Sequence, residues 1–466
     1  MSFADQFIQD SEKKASDLRH RAVLQKAITT YATKVADVKT HFLDWNHGRK
    51  LARIRKWEAI NHLDQHLEEF ERNARSRGAI IHWAEDGAQA LEIILGLCRN
   101  HGVRKVVKSK SMVTEEIHLN EFLEKHGIAS VESDLGEYIV QLRHEKPYHI
   151  VTPVMHLTKE EIDLTFHQQL GTPTGSTAED LAQTARNVLR NEYLTADMGI
   201  TGANFIVAET GMISITENEG NARLCSSLPR IHVAISGIEK VLPKLDDLAL
   251  FLPMLAVSGT GQQLTCYNTM IGGPRQADEM DGPDEFHIIL LDNGRTRLLM
   301  DPEQREALHC IRCGACLNVC PIFKNVGGHA YGTTYQGPIG AVITPHLRGL
   351  ADWKHLSDAS SLCGACSEVC PVHIDLHHHL LRNRRNSVRA GFSGWFERLS
   401  FQLWAMLMQS DEAYRIGALL LRVGQKLSSA IGLEGTLFDP LQHWSKTRAF
   451  PKFPEQMFRD WWNKRK

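Results

Sequence analysis

Hydrophobic residues in the first part of the chain recur with the spacing of amphipathic helices. Across residues 1–75, Leu, Ile, Val and Ala return every three or four positions between charged residues, and no proline interrupts them. The pattern predicts an N-terminal helical arm that packs on the following domain. The polar stretch 46–50, which contains a glycine, is the expected break in this arm.

From residue 76 to about 300 the pattern changes to short apolar runs that alternate with helical periodicity. Strands are predicted at 79–84, 105–109, 129–133, 138–140, 203–208, 212–216, 231–236 and 286–291. Helices are predicted to begin near Asp86, Thr114 and Thr177, and Asp86 is a favourable N-cap residue. This alternation is typical of a largely parallel sheet covered by helices, so residues 76–300 are predicted to form an α/β domain.

Two further regions follow in the chain. Asp301 and Pro302 mark a boundary, because proline suits the first turn of a new helix. Residues 301–385 are rich in glycine and poor in long strands, and residues 386–466 have the pattern of a helical tail. No stretch reaches the ~20 apolar residues of a membrane-spanning helix. Any contact with a membrane is therefore expected to be peripheral.

Length and charge narrow the choice of protein class. A chain of 466 residues favours two or three domains. Its net charge of −2 provides no general attraction for nucleic acid, so no nucleic-acid partner is expected. The chain opens with polar residues of mixed charge that do not resemble a signal peptide. We therefore expect a protein of the reducing cytoplasm, with the inner face of the membrane as an alternative location.

Seven of the ten cysteines fall in two short runs. The first run contributes Cys310, Cys313, Cys316 and Cys320, and the second contributes Cys363, Cys366 and Cys370. The first run has the C-x2-C-x2-C-x3-C-P pattern of bacterial two-cluster ferredoxins, and the second repeats it with Ser360 in place of the first cysteine. Structural zinc sites usually show two separate C-x2–4-C pairs, so zinc is disfavoured. The runs predict two iron–sulfur clusters, expected to be [4Fe-4S], and hence one-electron transfer.

In two-cluster ferredoxins, the fourth cysteine of each run binds the cluster of the other run. Cluster 1 is then expected to be held by Cys310, Cys313, Cys316 and Cys370. Cluster 2 is expected to be held by Cys320, Cys363 and Cys366 and lacks a fourth cysteine. It could be a three-iron cluster, or a four-iron cluster closed by an oxygen, water or substrate ligand. His373, Asp375 or a residue of a partner could also close it. We expect four irons with a ligand other than cysteine.

Five other residues carry weaker expectations. Cys98, Cys225 and Cys266 lie far apart and are expected to be buried as small hydrophobic residues. Arg312 and Lys324 flank the first cysteine run, where they could offset the charge of a reduced cluster. The simpler reading, which we prefer, places both on the surface.

Several segments upstream of the cysteines resemble the lactate-utilisation (LUD) domain. These segments are 199–223, 229–240, 108–117 and 134–137. From about residue 70 to the end, the chain is similar to the lactate-utilisation iron–sulfur protein B family. The resemblance implies a fold related to sugar-phosphate isomerases and CoA-transferases. It also implies a role in oxidising L-lactate to pyruvate with two partners, a cysteine-rich electron-transfer protein and a smaller LUD protein.

The candidate catalytic residues lie in two places, Glu209 in the turn between two predicted strands and Glu217 and Arg223 in the loop after residue 216. Arg223 could hold a carboxylate, with Glu209 or Glu217 nearby as a base. The alternative, slightly favoured by the sequence, is that Glu217, Glu219 and Arg223 form a polar turn that only caps strands.

Three functions are compatible with the sequence. The favoured one is an electron-transfer subunit of a lactate-oxidising complex. The second is a stand-alone hydroxy-acid oxidoreductase with the clusters as its electron outlet. The third is a non-catalytic assembly or regulatory protein. A two-electron oxidation that feeds one-electron clusters normally needs a flavin or a similar acceptor, and the chain has no convincing dinucleotide fingerprint.

Overall fold

The computed structural model describes residues 2–432 and, further on, residues 436, 448, 451, 453, 454 and 456–465. The chain divides into two compact units, Met1–Arg389 and Ala390–Lys466. The remaining positions of the predicted helical tail lie outside the described residues.

The first unit is built around a parallel sheet. Within the described residues, the strands are β1 (Ile80–Ala84), β2 (Lys105–Lys108), β3 (Ala129–Glu132), β4 (Met198–Gly202), β5 (Phe205–Val207), β6 (Met212–Glu217), β7 (Ile231–Gly237), β8 (Val241–Leu242), β9 (Tyr267–Ile271) and β10 (Glu285–Leu291). Six of them form one sheet in the order β1-β10-β7-β4-β2-β3, and all of its pairings are parallel. The predicted α/β fold with a parallel sheet is confirmed.

Helices and a second sheet cover the two faces of the parallel sheet. In β10, Ile288 and Leu290 pack toward one face and Ile289 and Leu291 toward the other, and all four are buried. Burial on both faces explains why this strand reads as a continuous apolar run. The helices from the N-terminus to the first cysteine run are α1 (Phe3–Ser16), α2 (Leu18–Lys39), α3 (Trp45–Asn61), α4 (Leu63–Ser76), α5 (Gly87–Asn100), α6 (Met112–Glu116), α7 (Leu119–Lys125), α8 (Leu135–Leu142), α9 (Lys159–Leu170), α10 (Ala178–Thr195), α11 (Asn221–Ser227), α12 (Asp247–Thr260) and α13 (Arg295–Met300).

Three of the predicted strands need correction. The strands β5 and β6 belong to a second, mixed sheet of order β8-β5-β6-β9, in which β5 and β6 pair antiparallel. The strand predicted at 138–140 is wrong, because these residues lie inside α8. The Asp134 side chain accepts the N–H of Glu137 at 3.1 Å, and this N-cap starts a helix where the apolar run alone resembled a strand.

The N-terminal arm consists of the four helices α1 to α4. The break predicted at 46–50 is wrong, since the chain turns at 40–44 and Asp44 caps α3 by accepting the N–H of His47 at 2.9 Å. Leu24 of α2 shares a core with the cysteine region, whereas Phe70 of α4 packs with the parallel sheet. The arm thus contacts both of the regions that follow it.

The cysteine region is made of short helices. They are α14 (Ala315–Val319), α15 (Pro321–Val326), α16 (Gly337–Arg348), α17 (Leu350–Asp358), α18 (Ala365–Val369) and α19 (Leu376–Arg389). The helix expected to lead into Cys310 is a 3-10 helix, Arg305–His309.

The second unit contains α20 (Trp395–Met408), α21 (Asp411–Ala430) and α22 (Phe458–Asn463), which confirms a helical C-terminal region over its described residues. Large apolar side chains of α20 are exposed, Trp395 and Phe396 among them. In the part of the chain that is described, no helix combines the length and apolar character needed to span a membrane.

Candidate functional site

The two cysteine runs fold into the same local structure. In each run a glycine precedes a short helix, α14 in the first and α18 in the second. Gly314 has a φ of 80° and Gly364 a φ of 83°, a left-handed conformation that residues with a Cβ rarely adopt. A Cβ at Gly314 would also lie 3.1 Å from His149 Cε1. Each turn between neighbouring cysteines therefore depends on its glycine.

Four cysteines from both runs line one cavity. They are Cys310, Cys313, Cys316 and Cys370. The rest of its wall is mainly apolar and includes Ile150, Ile311, Ile339, Val372 and Ile374. The structure therefore brings together the four residues that the sequence assigns to cluster 1.

The surroundings of these thiols fit an iron–sulfur cluster. Burial raises the pKa of Cys370 to about 12 and that of Cys316 well above its ordinary value. Buried thiols of this kind stay protonated at neutral pH unless a metal replaces the proton. The N–H of Arg312 donates to Cys310 Sγ at 3.4 Å, and the N–H of Ile374 donates to Cys370 Sγ at 3.3 Å. Four thiols in an apolar cavity, with N–H groups directed at sulfur, suit such a cluster.

Cys320, Cys363 and Cys366 form a second group, which reaches the surface. Cys363 is exposed and Cys366 is buried. Burial, followed by the charge of Cys320, raises the pKa of Cys366 to about 11, so Cys320 lies close to the thiols of the second run. Burial and then the charge of Cys310 raise the pKa of Cys316, and the charge of Cys366 raises it further. The two groups are therefore neighbours.

The structure separates the candidates for the fourth position of this second group. Ser360 stands at the start of the second run, where its Oγ accepts a backbone N–H at 3.2 Å. His373 lies near the basic residues of α3. Burial, followed by the charges of those residues, lowers the pKa of His373. Asp375 lies 2.7 Å from His378 Nδ1 and 3.3 Å from His377 Nδ1, so its carboxylate already has partners.

A larger cavity of about 530 Å³ opens beside the first group. Its lining includes Ser109, Lys110, Asn204, Glu217, Lys240 and Cys313. Ser109 and Lys110 follow β2, Asn204 follows β4, and Lys240 follows β7. In parallel α/β sheets ligands usually bind at the carboxyl ends of the strands, which is where this cavity lies. Cys313 belongs to both cavities, so a molecule bound here would lie next to cluster 1.

Basic and acidic side chains both line this cavity, and Lys240 is the amine without a partner among the described residues. Burial lowers the pKa of Lys240 to about 8, and its amine makes no hydrogen bond or ion pair with any residue that the structure describes. Lys110 donates to the carbonyl of Val151 at 2.8 Å and lies 3.8 Å from Asp134. An available amine close to cluster 1 suits an anionic ligand such as a carboxylate.

The side chain of Arg312 is only 9% exposed, so the prediction that it lies on the surface is wrong. Its Nη2 lies 3.2 Å from Glu239 Oε1, and its guanidinium lies 4.6 Å from the centre of the Tyr335 ring. Its Nε and Nη1 have no hydrogen-bond partner among the described residues. Both partners come from segments distant in sequence, so the motif alone could not show that the side chain turns inward.

The predicted catalytic residues of the LUD loop do not converge. Glu217 lines the large cavity, but its carboxylate accepts the N–H groups of Ala222 at 2.6 Å and Arg223 at 3.0 Å, and so caps α11. Arg223 is exposed and lies over the Tyr267 ring at 5.3 Å. Glu209 accepts a backbone N–H at a separate turn and does not line the cavity. The contacts of Glu217 are those of a capping residue.

Lys240 is a cavity residue that was not predicted from the sequence. Its place directly after a buried strand was the available signal, since loops at strand ends often carry binding residues. Cys98 and Cys225 are buried as predicted. Cys266 is exposed, so that prediction was wrong; it precedes β9 in a loop.

Together, the fold and the two cysteine groups define a two-cluster iron–sulfur protein built on a LUD-type α/β domain. Comparisons with family models agree. Residues 67–291 match the LUD domain, residues 306–374 match the 4Fe-4S dicluster domain, and residues 389–466 match the C-terminal domain of lactate utilisation protein B. The prediction of two [4Fe-4S] clusters is confirmed by the dicluster match.

Proteins named Lactate utilization protein B are similar over nearly their whole length. One from Bacillus velezensis is 41% identical over 451 residues, which cover 95% of this chain and 92% of that protein. One from Shouchella clausii is 40% identical, covering 97% and 96%. The chain belongs to the lactate utilisation protein B family. A crystal structure of a DUF162 family protein from Deinococcus radiodurans covers 49% of this chain and 98% of its own, with 15% identity and a TM-score of 0.26.

Proposed function

We propose that this chain is the iron–sulfur electron-transfer subunit of a complex that oxidises L-lactate to pyruvate. The observation that carries the proposal is the arrangement of the seven cysteines. One group of four is enclosed beside the large cavity, and the neighbouring group of three reaches the surface at Cys363. An iron–sulfur cluster takes up and passes on one electron at a time. An inner cluster with an outer cluster next to it would form an electron-transfer path from the cavity to the surface.

The large cavity supports the choice of substrate class. Lys240 and Cys313 both line it, so an organic acid or its redox partner could bind next to cluster 1. The names of the relatives connect this arrangement with lactate. Since no residue that the structure describes pairs with the Lys240 amine, this amine is available to a carboxylate.

We propose that the two-electron step takes place on a partner subunit. Oxidation of lactate to pyruvate removes two electrons and two protons, whereas each cluster accepts one electron, so an intermediate acceptor is needed. The proposed partners are a cysteine-rich electron-transfer protein and a smaller LUD protein. The exposed cluster at Cys363 is the proposed point of electron exit. The proposed location is the cytoplasm, where free cysteines persist.

An anaerobic reduction experiment tests this function. The purified chain alone, mixed with L-lactate, should keep the visible absorbance of its oxidised clusters. Addition of the two partner subunits should bleach that absorbance. A Lys240→Met chain in the complete mixture should bleach more slowly, and exposed Lys244→Met is its control. Clusters that stay oxidised in the complete mixture would contradict the proposal.

The large cavity also favours a second candidate, a stand-alone hydroxy-acid oxidoreductase. A cavity of about 530 Å³ is larger than lactate needs and could hold a substrate together with an acceptor. Under this function, lactate would bleach the clusters of the isolated chain without any partner. The first arm of the same experiment therefore distinguishes the two functions.

A further inference from the structure

The two cysteine runs repeat one backbone structure. Ser360 stands 50 positions after Cys310, as Cys363 stands 50 positions after Cys313. The N–H of Cys310 donates to the carbonyl three residues earlier at 3.3 Å, and the N–H of Ser360 does the same at 3.3 Å. Later in each run, the N–H three residues after the glycine donates to that glycine's carbonyl, at 3.0 Å in both cases.

The side chains that begin the two runs also accept the same hydrogen bond. Arg312 has a φ of 61° and Leu362 a φ of 55°, which are uncommon values for residues with a side chain. The N–H of Arg312 donates to Cys310 Sγ at 3.4 Å, and the N–H of Leu362 donates to Ser360 Oγ at 3.2 Å. The oxygen of Ser360 therefore has the local position that the sulfur of Cys310 has in the first run.

The repeat relates the two ligand sets to each other. The residues that share the first cavity are Cys310, Cys313, Cys316 and Cys370. Their counterparts in the repeat are Ser360, Cys363, Cys366 and Cys320. Three of the counterparts are the thiols of the second group, and Ser360 is the fourth.

Neighbouring contacts hold Ser360 in this position. Arg384 donates from Nη2 to the Ser360 carbonyl at 2.7 Å and from Nε to the Ser357 carbonyl at 3.0 Å. These hydrogen bonds fix the turn before the second run, and neither of them involves the Ser360 hydroxyl. Ser361, the next residue, is exposed.

We propose that Ser360 Oγ is the fourth protein ligand of cluster 2, closing it as a four-iron cluster. In binding, the Oγ–H bond breaks, an Oγ–Fe bond forms and the proton passes to water, with no change in the number of electrons. The half-buried position of Ser360 gives the proton access to solvent. This proposal rests on the cluster content of the proposed function but not on its substrate or partners.

Iron analysis and spectroscopy of the full-length chain test this ligand. The chain would be reconstituted anaerobically with iron and sulfide, and studied by iron content, EPR and Mössbauer spectroscopy. Wild type should contain eight irons per chain, four in each cluster. Ser360→Ala should lose one iron and show the EPR signal of an oxidised three-iron cluster. Ser360→Cys should keep eight irons, with the Mössbauer spectrum of one iron site altered. Ser361→Ala should match wild type.

Two results would overturn the proposal. In the first, Ser360→Ala keeps eight irons and the wild-type Mössbauer spectrum. In the second, wild type itself contains a three-iron cluster. Cluster 1 serves as an internal folding control, because its four cysteines are intact in every variant. If the assignments hold but lactate never reduces the clusters, only the proposed function fails.

Discussion

We predict that the buried ion pairs of Arg295 stabilise the packing of the cysteine region against the α/β domain. This arginine is 1% exposed, begins α13 and binds Glu116 through Nη1 and Nη2, each at 2.9 Å. Its Nε donates to Glu239 at 2.5 Å. Glu239 also pairs with Arg312 of the first cysteine run, and Glu116 accepts the Tyr335 hydroxyl at 2.5 Å. Arg295→Met would leave both carboxylates buried with fewer partners.

The expected cost can be converted to a melting temperature. Removal of one partner of a buried ion pair typically costs about 3–5 kcal/mol. Unfolding entropy is about 2.1 cal/mol/K per residue, which over the 389 residues of the first unit gives ~0.8 kcal/mol/K. Arg295→Met should therefore lower the melting temperature of this unit by about 4–6 °C.

Scanning calorimetry under anaerobic conditions, at one scan rate, would measure this shift. Arg297→Met is the matched control, because Arg297 lies on the same helix but is exposed. It should change the melting temperature by less than about 1 °C, as is usual for surface substitutions. Adding Glu116→Gln to Arg295→Met should restore part of the loss by removing one unpaired charge. Equal melting temperatures for Arg295→Met and Arg297→Met would show that the buried ion pairs of Arg295 do not stabilise this unit.

The ligand assignment, the second unit and a buried carboxyl group can each be tested separately. Cys370→Ala should remove cluster 1 and leave the Mössbauer spectrum of cluster 2, which is the spectrum that Ser360 substitutions alter. Cys320→Ala should instead remove the spectrum of cluster 2. The reverse outcome would contradict the crossed assignment, in which the last cysteine of each run binds the cluster of the other run. A chain ending at Arg389 should still bind eight irons, since all seven cysteines lie in the first unit; loss of iron would show that the second unit is needed. Burial raises the pKa of Glu137 well above 4.5, so the folded state holds this proton and wild type loses stability as pH rises above 4.5. Glu137→Gln should therefore melt higher than wild type at pH 8, with a gain that shrinks toward pH 5; a gain independent of pH would contradict this cause.

Local patterns predicted the parts of the fold that local forces determine. The strand β10 was predicted at 286–291 and spans Glu285–Leu291, because burial on both sheet faces leaves a continuous apolar run. The helix after Asp86 was predicted from its N-cap, and the Asp86 side chain does accept the N–H of Gln89 at 2.9 Å. The cysteine spacing specified the cofactor class because cluster ligation needs close thiols.

Contacts distant in sequence explain what was missed. The side chain of Arg312 turns inward because Glu239 and Tyr335 contact it from other segments, which no local pattern shows. The strands β5 and β6 pair in a second sheet, although their apolar runs resemble those of the first. Lys240 becomes a cavity residue only when its strand end meets the first cysteine run. Each case needs the tertiary arrangement of elements.

If seven cysteines hold two clusters, the chain should carry electrons one at a time. Reductive titration of the anaerobically purified chain measures this directly, by counting the electrons taken up per chain. We expect two electrons, one for each cluster of the dicluster domain, with matching loss of visible absorbance. Protein that contains zinc, or that takes up no electrons, would contradict it.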